Sequence, residues 1–225
     1  MKNKILTLSF LCFSLYSFGQ TVSNYDVSSN VLYDMGRELK AKADKIDGSK
    51  YTSDAFEPAN INFLENQTVL VRYNAYDDEI EFSRNGKNFN LIKTSQIEVK
   101  FIKSNKTYVY TEYFSKNLNK VFGYLVQLNK KDNYSIYLRE SVSLIPGKEA
   151  VTGYEVSRAA FFQPNKEEFL IEIDGKITTI PKKKKEFLIL FGDKSTAVET
   201  FIKTNKLNYS SKEDLIKLSD FLNQN

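Results

Sequence analysis

The sequence predicts a mainly β fold with C-terminal α: an antiparallel β-meander, a curved sheet or incomplete barrel, packed by two or three short C-terminal helices. Three observations predict it. Asn85-Gly86 and Asp174-Gly175 each stand between apolar runs, and both dipeptides suit a two-residue hairpin turn, which needs positive φ at its central residues. Between Val69 and Ile180, apolar and aromatic residues alternate with polar ones, and the aromatics are all Phe and Tyr, types that favour half-buried pleated surfaces. After Pro181 the apolar spacing becomes helical.

Taking Asn85-Gly86 as the loop fixes a register. Arg84 then faces Lys87, Phe82 faces Phe89, Glu81 faces Asn90 and Ile80 faces Leu91, so the apolar pairs share one face and the polar pair takes the other.

The elements follow in order. Residues 1–19 read as a signal peptide: the basic head Met1-Lys2-Asn3-Lys4, an apolar Ile5 to Phe18 too short to span a membrane, and small residues placed for cleavage after Gly19, leaving Gln20 first. Cys12 is read as filler in that apolar run, since Ser9-Phe10-Leu11 lacks the small residue expected before a lipidated cysteine. Residues 20–47 are a polar leader, with one short helix suggested by Val31, Leu32, Met35 and Leu39 and weakened by Gly36. Residues 48–180 form the β domain. Its strands are expected at Ile61 to Leu64, Val69 to Asn74, Glu79 to Ser83, Asn88 to Lys93, Ile97 to Ile102, Thr107 to Phe114, Phe122 to Leu128, Tyr134 to Arg139, Ala159 to Phe162, Glu168 to Ile173 and Lys176 to Ile180, with Ile145 to Gly153 as a loop. Residues 181–225 are a helical tail packed on that domain: one helix from Pro181 to Gly192, a second over Ser195 to Asn205, and a third opened by the capping-box spacing of Ser210 and Glu213 with Leu215, Leu218 and Leu222 on one face.

Gly48-Ser49-Lys50-Tyr51, Val71-Arg72-Tyr73-Asn74, Asp78-Glu79-Ile80-Glu81-Phe82, Gly123-Tyr124-Leu125 and the tail Phe201-Ile202-Lys203-Thr204-Asn205-Lys206-Leu207 with Glu213-Asp214-Leu215-Ile216-Lys217 resemble a group of secreted Bacteroidota-type proteins of unknown function. The resemblance covers most of the chain beyond the leader. It implies a bacterial envelope location and supplies no catalytic motif.

Composition excludes several chemistries. There is no histidine, and Cys12 is the single cysteine, so imidazole bases, triads, and thiolate nucleophiles or zinc sites have no residues to build them once the leader is removed. No glycine-rich phosphate loop is present. The formal charge is +4, of which Lys2 and Lys4 contribute two; nucleic acid is not expected as a partner.

What remains are carboxylates, lysines and tyrosines. Asp77, Asp78, Glu79 and Glu81 form the densest acidic cluster, with Asp77 and Asp78 as the candidate metal ligands through hard oxygen; the ordinary reading is a solvated turn followed by the solvent face of a strand. Lys182, Lys183, Lys184 and Lys185 are a basic run through which the chain would meet a membrane surface. Tyr73, Tyr108 and Tyr110 are candidate ligand-contacting aromatics, and because Tyr108 and Tyr110 share a face that Val109 does not, some tyrosines are expected to point away from the main core. Arg72, set in a central strand, requires a carboxylate or carbonyl partner, with Glu79 or Glu81 nearest.

The expectation is therefore an exported, monomeric, non-enzymatic envelope protein in the periplasm or outside the cell, without cofactors, whose partner is an envelope protein or an apolar ligand. Two alternatives stand beside it. A lipid carrier needs an unfilled apolar cavity in the sheet's concavity. A carboxylate-dependent glycan hydrolase needs Asp77, Asp78 or Glu81 in a cleft within about ten ångströms of a second carboxylate.

Overall fold

The computed structural model describes residues 36–38, 46–64, 67–150 and 156–224. The expected signal peptide, residues 1–19 with Cys12, and its cleavage site Gly19–Gln20 lie outside the described residues, as do Val31, Leu32, Met35 and Leu39 of the expected short helix. The fold is mainly β, with helices at the C-terminal end.

The first half of the chain supplies β1 (Gly36–Glu38), β2 (Glu57–Ile61), β3 (Thr68–Asn74), β4 (Glu79–Arg84), β5 (Lys87–Leu91) and β6 (Glu98–Phe101). The second half supplies β7 (Lys106–Phe114), β8 (Lys120–Gln127), β9 (Tyr134–Arg139), β10 (Val142–Ile145), β11 (Phe161–Pro164), β12 (Glu168–Ile173) and β13 (Lys176–Thr179). Three α-helices follow: α1 (Lys184–Ile189), α2 (Ser195–Asn205) and α3 (Lys212–Gln224), with a 3₁₀ turn at Gly192–Lys194 between the first two.

One sheet runs β1-β5-β4-β3-β2-β6-β7-β13-β12-β9-β8, and β8 also pairs with β7. The last five strands therefore close into a ring. All its contacts are antiparallel except β13 on β7, where Thr178 pairs with Phe114 in parallel, since an odd number of alternating strands must close with one parallel neighbour. Each strand of the ring contributes one buried side chain to its interior: Tyr113, Leu125, Tyr137, Leu170 and Ile177 form a core of their own, with the half-buried Val109 and Val121 packed against it. The alternate residues Tyr108, Tyr124, Ile136, Leu138, Phe169 and Ile171 face the larger core, shared with Val71, Tyr73, Ile80, Phe82 and Leu91 of the open sheet.

The helices belong to that larger core. Phe187, Val198, Ile202, Leu215, Leu218 and Leu222 pack into it, and Phe201 stacks on Phe221 with ring centroids 4.0 Å apart. Ser219 Oγ and Asn223 Nδ2 donate to the Tyr134 carbonyl at 2.5 and 2.9 Å, pinning α3 to β9.

Both hairpins form as expected. Asn85 (φ 51°) and Gly86 (φ 73°), and Asp174 (φ 50°) and Gly175 (φ 76°), adopt the left-handed pair that a type I′ turn requires. The pairs Arg84–Lys87, Phe82–Phe89 and Glu81–Asn90 are in register, with the two phenylalanines stacked at 5.2 Å. Helix α2 has the expected limits, ending at Lys206 in a left-handed conformation (φ 53°).

Elsewhere the structure corrects the expectation. The first strand of the β domain is Glu57–Ile61 rather than Ile61 to Leu64: it ends at Ile61, and Asn62 to Leu64 form a turn. Gly36–Glu38, expected within a helix, extends along β5, because an unpaired sheet edge outweighs a helical spacing that glycine already weakens. Val142–Ile145 is a strand paired with Phe161–Pro164, so the expected loop begins later. Helix α1 starts at Lys184, leaving Lys182 in a bend and Lys183 extended before it, and Ser211 rather than Ser210 precedes α3, its hydroxyl donating to Glu213.

Because the ring is closed around five side chains, truncating one of them has no room to relax. Leu170→Ala is expected to cost about 2–5 kcal/mol in urea unfolding, whereas Leu118→Ala on the β7–β8 turn should fall within about 0.5 kcal/mol of wild type. Equal costs would contradict a filled ring.

Candidate functional site

Arg72 finds the carboxylate its position requires. Its Nε and Nη2 donate to Glu81 Oε2 at 2.8 and 2.7 Å, because β3 and β4 pair with Arg72 opposite Glu81. Nη2 also donates to the Tyr51 hydroxyl at 2.6 Å, and Nη1 to the Asp54 carbonyl at 3.2 Å. The guanidinium lies between the rings of Tyr51 and Phe56, 3.8 and 4.4 Å from their centroids. Its donors are thus engaged by the protein.

Glu81 is not solvated. Its side chain is 1% exposed, covered by the segment before β2, and Tyr51 donates to both its oxygens at 3.1 Å. Asn74 Nδ2 lies 3.3 Å from Oε1 and Lys50 Nζ 3.7 Å from the same atom. Burial, then the charge of Glu81, pushes the Tyr51 hydroxyl well above the ordinary tyrosine range.

The two aspartates of the following turn point to different partners. Asp77 Oδ2 accepts from Asn74 Nδ2 at 2.9 Å and sits 3.7 Å from Lys50, on the Glu81 side. Asp78, left-handed at φ 54°, reaches across to β8: Oδ1 accepts from the Tyr73 hydroxyl at 2.7 Å and from the Tyr124 N–H at 3.1 Å. A Cβ on Gly123 would come within 2.9 Å of Asp78 Oδ2, so glycine at that position is what admits the carboxylate. Burial raises the Asp78 pKa from its ordinary value despite those hydrogen bonds and the nearby Lys93. Among the described residues no group of three histidine, cysteine, aspartate or glutamate side chains is placed to hold a metal ion.

Glu79, expected on the solvent face, is 13% exposed and pairs with Lys93 at 3.3 Å and Arg37 at 3.5 Å. Burial raises its pKa too. Its Oε2 and the Tyr124 hydroxyl are both buried without a hydrogen-bond partner.

The candidate tyrosines are core residues first. Tyr73 and Tyr108 are 2% and 1% exposed with ring centroids 4.7 Å apart, and the Tyr108 hydroxyl donates to Glu140 Oε2 at 2.5 Å beside Lys106. Tyr110 packs on Tyr124 at 5.2 Å. Tyr108 and Tyr110 share a face as expected, and it is the one turned to the main core; the tyrosines that point away from that core are Tyr113 and Tyr137, which with Val109 turn to the ring interior, a second core absent from the sequence reading.

Accessible chemistry lies instead at the seam between ring and helices. A groove of about 360 Å³ is lined by Ser115, Lys116, Leu118, Thr178, Thr179, Pro181, Lys182, Lys183, Glu186 and Leu190. Leu118 is 72% exposed at the tip of the β7–β8 turn. Lys116 pairs with Glu168 at 3.4 Å and Lys183 with Glu186 at 3.0 Å, while Lys182 and Lys185 have no carboxylate partner among the described residues. Lys184 faces away to Glu199, whose carboxyl it holds, with Lys203, at about 2. The basic run is thus divided between a helix-surface pair and a groove wall. Sequence reasoning found Lys182 and Lys183 but not Lys116, Leu118 or Leu190; the local signal was a leucine flanked by Asn117 and Asn119 in a turn, where burial is not available.

Comparison of the chain with protein-family models, curated proteins and solved structures gives no match. The site rests on its own geometry.

Two measurements test the buried polar network. Arg72→Met strands the Glu81 carboxylate and is expected to cost about 3–5 kcal/mol, with Arg72→Met/Glu81→Leu recovering a large part, since replacing both charges removes the desolvation penalty. Additive losses would mean the pair is not coupled. For Asp78, a folded pKa above the unfolded one gives stability that is present below about 3.8 and lost as pH rises. Relative to wild type, Asp78→Asn should therefore gain stability as pH is raised from acid to neutral; a constant difference across that range would remove Asp78 from the linkage.

Proposed function

We propose that this chain is an exported, non-catalytic envelope protein that binds an anionic, partly apolar ligand, a lipid-type headgroup with its adjoining hydrocarbon, in the seam groove. The observation that carries the reading is the lining itself. Apolar Leu118, Pro181 and Leu190 line it together with Lys116, Lys182 and Lys183 against the single carboxylate of Glu186, a composition that attracts negative charge and offers contact to carbon together.

The alternatives have less support. The ring interior is occupied by five side chains, so a carrier holding its ligand inside the ring has no room there. Asp77 and Glu81 are neighbours through the Asn74 amide, but Glu81 is closed off and fully engaged, and an acid or base must reach its substrate. Export is supported by the basic head, the short apolar run and the small residues before Gln20, and by the resemblance to secreted Bacteroidota-type proteins.

The test is sedimentation of the chain beginning at Gln20 with vesicles of phosphatidylglycerol and phosphatidylcholine against phosphatidylcholine alone. Binding to the anionic vesicles is expected, weakening as salt is added. A surface lysine is worth about 1 kcal/mol there, so Lys116→Gln/Lys182→Gln should bind about 30-fold more weakly, and Leu118→Ser should weaken binding further. Equal binding to both vesicles, or an unaffected lysine variant, would end the proposal.

A further inference from the structure

The ring is filled at its middle, yet one of its ends is polar. There the Tyr137 hydroxyl donates to Glu172 Oε2 at 2.7 Å and accepts from Gln127 Nε2 at 3.3 Å, Tyr137 itself being 5% exposed. This end opens into a cleft of about 520 Å³.

The cleft exists because β7 lacks a strand along part of one edge. Its pairing with β6 stops at Val109–Glu98, and its contact with β13 is at Phe114–Thr178. Between them, Tyr110 N–H still donates to the Ile97 carbonyl at 3.0 Å, and Thr111 to Tyr113 has a strand on the β8 side alone. The wall opposite is Ser95 to Glu98, which leads into β6.

Two aromatic rings line this gap. Phe122 is 51% exposed, an unusual position for a phenylalanine in a chain with two apolar cores to fill, and its ring centroid lies 6.3 Å from that of Tyr110 at an interplanar angle of 30°. The charged groups nearly balance. Glu98, Glu112 and Glu172 line the cleft with Lys130 and Lys131, Glu112 being held by Lys120 at 3.0 Å and Lys131 by Asp220 at 3.0 Å.

We infer that this cleft is a saccharide-binding site for a neutral oligosaccharide. The electron-rich faces of Phe122 and Tyr110 meet the C–H face of a pyranose ring. The amide of Gln127 and the carboxylate of Glu172, pre-set by the buried Tyr137 hydroxyl, offer donors and acceptors to ring hydroxyls. An apolar ligand would leave those groups unpaired, and an anionic sugar would meet the glutamates. A peptide strand would find an open edge only three residues long. The site is separate from the seam groove, so each can fail alone.

The test is a nitrogen-15 NMR titration of the chain beginning at Gln20 with cellotetraose, maltotetraose and N-acetylchitotetraose, with tetragalacturonate as the anionic control. At least one neutral sugar should shift amides of Ser95 to Glu98, Val109 to Glu112 and Phe122 to Gln127 at millimolar concentration. Phe122→Ala, at an exposed position, should keep the folded spectrum and bind at least about five-fold more weakly, and Glu172→Gln should also weaken binding. The inference is overturned if no neutral sugar moves those amides, if tetragalacturonate alone does, if an extended β-forming peptide moves them and the sugars do not, or if Phe122→Ala binds as wild type.

Discussion

Strand β7 has to serve two sheets and two cores at once, and the rest of the molecule is arranged around that constraint. Its alternation sends Tyr108 to the large core against Phe101 and Tyr73, and Tyr113 to the ring core with Leu125 and Leu170. A slip of one residue would exchange the two sets and put tyrosines of the wrong size in each. One of its edges is taken by β8 along eight pairs; the other is divided between β6 near its start and β13 at its end. The open sheet and the closed ring are therefore continuous through a single strand, and neither core can be repacked without moving the other.

The open sheet carries a second constraint, the burial of charge. Glu81 stands on the face opposite Ile80 and Phe82, where strand alternation alone would leave it in water. It is covered because the chain before β2 runs back along β3, with Thr52 N–H donating to the Tyr73 carbonyl at 3.2 Å and Ala75 N–H to that of Lys50 at 2.9 Å. Arg72 and Tyr51 then satisfy the carboxylate. Such a pair adds little net stability, since desolvation offsets its attraction, but any other placement of the covering segment would strand a buried charge. Its effect is specificity: it fixes where residues 50–56 lie. Asp78 acts similarly on the other side, tying the β3–β4 turn to β8 through Tyr73 and the Tyr124 N–H.

What the sequence made legible was local. Asn85-Gly86 and Asp174-Gly175 set turn type and register because two backbone conformations allow few alternatives, and α2 was bounded by its own apolar stripe. What it hid was which surfaces would be covered. Periodicity tells that Glu81 and Phe82 lie on opposite faces; it carries no information about a distant segment that turns the polar face into an interior. The ring is hidden for the same reason, since its closing contact joins Phe114 to Thr178, and so is β1, a short run whose conformation is set by the open edge of β5. The candidate residues followed the same division. Arg72 and its partner were readable from neighbouring strands, whereas the seam groove draws Leu118, Thr178 and Leu190 from three separate elements.

Closure of the ring also explains why the accessible chemistry lies on its outside. Five side chains occupy its interior, and the polar groups of the large core are held by one another, Tyr124 and Glu79 leaving an atom each unpaired. Room for a ligand arises where a strand's neighbours change, because there side chains and backbone lose a partner on one side. β13 joins β7 late, over a short parallel contact. On the far side of that contact the chain leaves Thr179 for α1 and opens the seam groove; on the near side β6 has already ended and the aromatic cleft begins. The two openings thus have one cause, and their chemistries differ with what the chain places at each: lysines in the approach to a helix at one, the polar end of a filled ring at the other.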